Sequence, residues 1–222
     1  MTDPVAALLR DALSRPSGPS SDFDLNPGIR PLADKPLRAA AVLVPVLLQP
    51  DGARLILTKR SSHLKHHPGQ IAFPGGKVDA TDASPEAAAL REAREEIGLP
   101  PDRVEIIGTL PVHETVTGFA VTPFVGLIRG PFDPLPEAGE VEEVFTVPLS
   151  HVLTPARYAV ERRRWMGVWR RYYAVPHGPY YIWGATARIL RGLADRVEGR
   201  LPAPPFSVPN YPGVRPKRPP IR

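Results

Sequence analysis

The chain has 222 residues, 42% of them hydrophobic, which suffices for one substantial core and bounds it to one domain with extensions. With no cysteine it has no disulfide framework, no thiolate nucleophile and no Cys-ligated zinc site. The net charge of +5 belongs to residues 199–222, where Arg200, Arg215, Lys217, Arg218 and Arg222 face no acid; the other 23 basic residues balance the 23 acidic ones, so a nucleic-acid partner is not expected.

No signal peptide is evident and no apolar run approaches the ~20 residues needed to span a bilayer, so a cytoplasmic protein without a membrane partner is expected. Asp3-Pro4 supplies a cap and first turn. Val5, Leu8, Leu9, Ala12 and Leu13 then recur at helical spacing, predicting a short amphipathic helix on the outside of the domain. Residues 14–36, rich in Pro, Ser, Gly and Asp, read as irregular. The apolar run Ala39 to Leu48 and the alternating Arg54 to Arg60 predict an antiparallel hairpin across Pro50-Asp51-Gly52. In the following segment, Pro68 and Gly69 leave His63, His66 and His67 without a fixed face, so a substrate-facing or solvated loop is expected rather than a transition-metal cluster.

Next comes a Pro-Gly-Gly turn and an acidic helix. Ser84 is the N-cap, Pro85 the first helical residue and Gly98 the left-handed stop, reinforced by Pro100 and Pro101. Leu90, Ala93 and Ile97 share an apolar sector, with Glu92, Glu95 and Glu96 on the opposite side. Like charges at i,i+3 and i,i+4 are locally unfavourable. Arg91 and Arg94 can offset them, as on any solvated charged face. Two features favour a metal site instead: the turn ending at Gly76 can bring a bare carbonyl to the stripe, and Ala87, Ala88 and Ala89 keep the neighbouring surface low. Oxygen ligands on a rigid helix suit a magnesium ion that retains waters. Glu92 and Glu96, one turn apart, are the principal metal ligands expected, Glu95 a third or water-mediated one, and the Gly76 carbonyl an additional oxygen.

Val104 to Leu110, Val121 to Ile128 and Val141 to Pro148 read as strands and Trp183 to Leu193 as a packing helix, together an α/β layered fold. His113-Glu114 lacks the second histidine of a zinc-protease motif and is expected as a loop lining the pocket. Arg162 to Arg171 interleaves cations with Trp165 and Trp169, which either pack or stack on bases or adenine; in the second case the stretch would hold an adenine or 3′-phosphate end. The tail from residue 199 is proline-rich, so it is expected to be extended or disordered, either solubilising or in contact with an acidic partner or nucleic acid.

Gly76 with Arg91-Glu92-Ala93-Arg94-Glu95-Glu96-Ile97-Gly98-Leu99 resembles the Nudix box, G-x5-E-x7-R-E-U-x-E-E-x-G-U with U aliphatic. The second half matches closely. In the first half, Gly76 to Arg91 is one residue longer than the pattern, and Asp82 stands for the first glutamate if the extra residue lies between Asp82 and Arg91. Immediately upstream, Ile56 to Gly76 resembles the signature of the coenzyme A pyrophosphatase branch, L-L-T-x-R-S-x3-R-x3-G-x3-F-P-G-G, with Ile56 for its first leucine and Lys65 for its later arginine.

The resemblance implies a Nudix-type α/β/α sandwich with a central mixed sheet over residues 37–198, a lead-in over 1–36 and a tail over 199–222. It also implies Mg²⁺- or Mn²⁺-dependent cleavage of coenzyme A or a derivative to 3′,5′-ADP and 4′-phosphopantetheine. The expected substrate-binding positions are Arg60, Lys65, Gln70, Gly75 and Gly76. Lys65 keeps the charge of the signature arginine but not its planar fork. Arg91 corresponds to the box arginine that orients glutamates, and the general base is expected at Glu92 or Glu140, with Glu143 behind them. Nucleoside triphosphates, ADP-sugars or capped RNA ends are the alternative substrates, and a catalytically silent nucleotide-binding module is the alternative class. Either a monomer or a homodimer is compatible.

Overall fold

The apolar run after the lead-in becomes the centre of a mixed sheet because its alternate side chains find a separate apolar layer on each face. The computed structural model describes residues 3–29, 36–165 and 167–199; the basic proline-rich tail from residue 200 lies outside the described residues. The N-terminal part comprises α1 (Pro4–Ser14), β1 (Ser20–Ser21), β2 (Arg38–Leu48), β3 (Arg54–Arg60), β4 (Ile71–Ala72), β5 (Gly75–Lys77) and α2 (Pro85–Ile97). There follow β6 (Val104–Thr109), β7 (His113–Glu114), β8 (Phe119–Arg129), β9 (Val141–Pro148), α3 (Leu149–Val152), β10 (Ala159–Trp165), β11 (Val168–Ala174) and α4 (Gly184–Val197).

Strand β2 runs parallel to β8 from Arg38↔Phe119 to Leu48↔Arg129. On its other edge it pairs antiparallel with β5 at Ala40 to Val42, but with β3 only at Val46 and Leu47. The expected hairpin therefore closes at its turn and then opens. The β4–β5 segment fills the gap, with β4 on β3 and β5 on β2. Strand β9 covers the far edge of β3 from Arg54 to Arg60.

On one face of the sheet, Ala41, Leu43, Leu47 and Ile56 pack with Ala89, Ala93 and Ile97 of α2. On the other, Val44, Val46, Leu55 and Leu57 pack with Leu9 of α1 and Leu190 and Leu193 of α4. This period-2 division produces the expected α/β/α layering. Helix α1 is not merely external: Leu9 is completely buried, because α1 packs against α4. No described helix is long and apolar enough to cross a membrane.

Two other expectations change. His113-Glu114 is not a loop but the strand β7, paired with β1 inside the supposedly irregular lead-in. His113 is fully buried, and its ring nitrogens meet Ser20 Oγ at 2.8 Å and Asp22 Oδ1 at 3.1 Å. The stretch 162–171 belongs to a separate hairpin, β10–β11, whose first strand is exposed throughout. A lone hairpin is marginal in water. This one is anchored by Asn26, whose amide donates to the Arg171 carbonyl at 2.9 Å and accepts from the Arg171 N–H at 2.8 Å, imitating a strand partner.

Candidate active site

Helix α2 has the predicted ends: Ser84 Oγ accepts from the Ala87 N–H at 3.1 Å, and Gly98 closes it in the left-handed conformation at φ 70°. Helical rotation separates the three glutamates more than expected. Glu96 points towards the sheet and is 4% exposed, Glu92 is intermediate, and Glu95 is exposed on the solvent flank. The reason is geometric: residues 95 and 96 lie about 100° apart around the axis, so they cannot share one direction.

The Pro-Gly-Gly turn brings β5 directly against this pair. The Gly75 N–H donates to Glu96 Oε2 at 3.1 Å. Gly75 has φ 152°, and a Cβ there would lie 2.5 Å from the Ala41 carbonyl oxygen. Gly76 lies beneath the other glutamate, where a Cβ would come within 2.5 Å of Glu92 Cδ. Both glycines are needed for close approach, the second specifically to a carboxylate.

Arg91 gathers the surrounding acids. Its Nε and Nη2 form a fork on Asp82 at 2.9 and 3.0 Å, while Nη1 reaches Glu92 at 3.0 Å and Glu95 at 2.9 Å. Asp82 thus stands where the first-half glutamate was expected, with both oxygens committed to Arg91. That pairing holds its carboxyl below the usual range, and the Asp79 N–H, at 2.8 Å, fixes its direction. The extra residue before Arg91 is absorbed without loss of the contact.

Burial raises the Glu92 carboxyl, against the opposing pull of Arg91. Glu96 is pushed up to about 7, chiefly by burial, with the charges of Glu92 and Glu140 adding to it and the Gly75 N–H and Arg60 acting against it. Two partly desolvated carboxylates, the charge of Glu92 adding to the upward shift of Glu96, beside a glycine that leaves room beneath them, are a donor set suited to a hard divalent cation. Among the described residues no three His, Asp or Glu side chains converge in a ready-made metal cluster. Glu95 in particular is turned to Arg91.

The signature loop opens from the same place. The Arg60 N–H donates to the Gln70 carbonyl at 2.9 Å and the Gly69 N–H to the Arg60 carbonyl at 3.1 Å, closing residues 61–69 into a ring based on Arg60. Arg60 Nε is buried without a hydrogen-bond partner among the described residues. Glu140 is tied to the base of this ring, its carbonyl accepting from the Ser61 N–H at 2.8 Å while its side chain remains exposed. Lys65, His63, His66 and His67 are exposed on the loop. Gln70 instead lines a cleft of about 520 Å³ beside Lys59 and Glu143. Glu143 lies on the α4 face with Phe145 and Val147 and accepts a hydrogen bond from Tyr180, so it is not brought to Glu92 and Glu96. Sequence reasoning missed Asn26 and the full role of Asp82; the latter had a signal in its spacing, the former none.

A family model described as the NUDIX domain matches residues 37–168. A protein of Enterobacter sp. (strain 638) named "Uncharacterized Nudix hydrolase NudL" is 50% identical over 164 residues, spanning 72% of this chain and 83% of its own. The protein of that name from Salmonella paratyphi B is 48% identical over the same length and with the same coverage. Among solved structures, a Nudix hydrolase from M. smegmatis, RenU, aligns at 25% identity with a TM-score of 0.42, covering 53% of this chain and 74% of that one.

Proposed function

The chain belongs to the NUDIX family of hydrolases, enzymes of pyrophosphate bonds, and on that premise we propose that its substrate is coenzyme A or a derivative, cleaved to 3′,5′-ADP and 4′-phosphopantetheine or its acyl form. One observation carries the substrate choice: the two adjacent motifs meet at the same two carboxylates. Gly75, from the coenzyme A-type signature, donates to Glu96, Gly76, shared by both motifs, lies against Glu92, and the charge of Arg60, also from that signature, is felt at Glu96.

Nudix hydrolases use divalent metal ions. Glu92 and Glu96, with the Gly76 carbonyl as a further oxygen, would hold Mg²⁺ or Mn²⁺, which when bound would supply neutralisation of the phosphate oxygens and activation of water. The remaining work falls to the chain itself. Arg91 is a positioning residue: its fork on Asp82 leaves Nη1 to hold Glu92 at one rotamer and to keep Glu95 aside. Arg60 is the fixed cation for the pyrophosphate, its buried Nε having no hydrogen-bond partner among the described residues. Lys65 adds mobile positive charge from the loop, and Gln70 bounds the substrate's path. Glu140 is the proton acceptor, since it is exposed yet near enough to influence both Glu92 and Glu96.

The test is incubation of the purified protein with Mg²⁺ and a panel of pyrophosphate compounds, with products identified by mass. Formation of 3′,5′-ADP from coenzyme A faster than turnover of any nucleoside triphosphate, ADP-sugar or capped RNA end is expected. Preferred turnover of any of those would refute the substrate.

A further inference from the structure

The β10–β11 hairpin places Arg163 directly across from Arg170 on one face. Like charges in register across strands destabilise a hairpin. Neither arginine forms a salt bridge with a carboxylate among the described residues. Arg170 instead lies over the rings of Trp165, at 4.6 Å, and Phe23, at 5.8 Å, with its Nε buried and without a hydrogen-bond partner among the described residues. Arg163 lies 5.8 Å from the ring centre of Trp183 and lines the 520 Å³ cleft together with Tyr181, Gly69 and Gln70.

The aromatic side of this cleft is ordered. Tyr172 braces both rings, its hydroxyl 3.3 Å from that of Tyr181 and its ring 5.0 Å from that of Trp183. Tyr181 is nevertheless 45% exposed, an apolar surface open to a planar ligand. Among the described residues Glu143 is the acid that lines the cleft; it accepts a hydrogen bond from the Tyr180 hydroxyl and lies near Lys59, whose charge offsets it, while Glu161 on β10 lies near Tyr181. Trp169 is a cross-strand neighbour of Arg164 on the other face of the hairpin and does not belong to this surface.

We propose that this cleft is the subsite for a 3′-phosphorylated adenosine, the base against Tyr181 and Trp183 and the 3′-phosphate on Arg163, with Arg170 reinforcing the field. The proposal rests on the coenzyme A reading and deepens it. Gly69 and Gln70 link the two regions: they form one wall of the cleft and close the loop on Arg60, so a substrate whose pyrophosphate lies at Arg60 can extend round the end of β3 into the cleft. An adenosine without the 3′-phosphate makes the stacking contacts only.

The test is binding of 3′,5′-ADP and of 5′-AMP, by calorimetry, to the wild-type chain and to Arg163→Ala and Arg163→Lys. Because β10 is exposed, neither variant disturbs the core. Loss of a charge-assisted hydrogen bond corresponds to about tenfold or more in Kd. The wild-type protein is expected to prefer 3′,5′-ADP by about that factor. Arg163→Ala is expected to abolish the preference and Arg163→Lys to restore part of it. Equal binding of the two nucleotides to wild type, or a preference that survives in Arg163→Ala, overturns the subsite, even if coenzyme A is turned over. Conversely, an Arg163-dependent preference in a protein that does not cleave coenzyme A leaves the subsite standing and removes the substrate assignment.

Discussion

Glu96→Gln separates what Glu96 does for stability from what it does for activity. In the folded, metal-free protein its carboxyl is pushed up to about 7 from an ordinary 4.5, mainly by burial. The folded state therefore binds the proton more tightly than the unfolded state. The Glu96 contribution to stability is therefore most favourable below pH 4.5 and is lost as pH rises through about 7, above which its full cost is present. At ~1.4 kcal/mol per pH unit, ionised Glu96 destabilises the metal-free fold by about 2–4 kcal/mol at pH 8. Glutamine is nearly isosteric, keeps an acceptor for the Gly75 N–H and carries no charge. In thermal melts with a chelator, Glu96→Gln should match wild type near pH 4.5 and exceed it by roughly 5–10 °C at pH 8, using ~2–4 °C per kcal/mol for a chain of this size. Saturating Mg²⁺ should stabilise wild type and narrow the gap, while the variant loses turnover. An unchanged gap between the two pH values, or a variant with full turnover in saturating Mg²⁺, would refute the reasoning.

Two further outcomes follow from the geometry. Arg91→Lys retains the charge but not the fork on Asp82, so Glu92 loses its fixed orientation. Turnover at saturating substrate should fall about tenfold or more with little change in KM, measured by steady-state kinetics. Asn26→Ala removes the two hydrogen bonds that Asn26 makes to the Arg171 N–H and carbonyl and should lower stability by about 1–3 kcal/mol in urea titration. Hydrogen exchange should show the loss concentrated in β10 and β11, whereas a uniform loss would mean that Asn26 does not anchor the hairpin.

Much of the site was legible because its information is local. Ser84, Pro85 and Gly98 specify the ends of α2 through groups within a few residues, and the spacing of Glu92 and Glu96 places them one turn apart wherever the helix lies. The separation of Glu95 from Glu96 was also implicit in the helical angle, but its meaning depends on which direction faces the sheet. The clearest case of the reverse is the predicted β2–β3 hairpin. Its turn chemistry is right, yet β4 and β5 enter between the strands because their partners are chosen by the packing of the whole sheet. The same holds for His113, which reads as a pocket residue until β1 returns from the lead-in to bury it.

The sequence by itself determined the glycine turn, the capped helix and the spacing of its acids, because these are short-range consequences of backbone geometry, and the resemblance those residues carry to the Nudix box pointed to the family. It determined the layering as well, through the order of strands and helices along the chain and the continuous apolar run of β2, which needs cover on both faces. Only the tertiary structure decided that Asp82 completes the Arg91 fork, that Glu143 faces away from the paired glutamates, and that Arg163 shares a cleft with Gln70. Those relations join residues from 9 to 93 positions apart. Contacts at that range are set by how sheet faces and edges are covered, which no local pattern records.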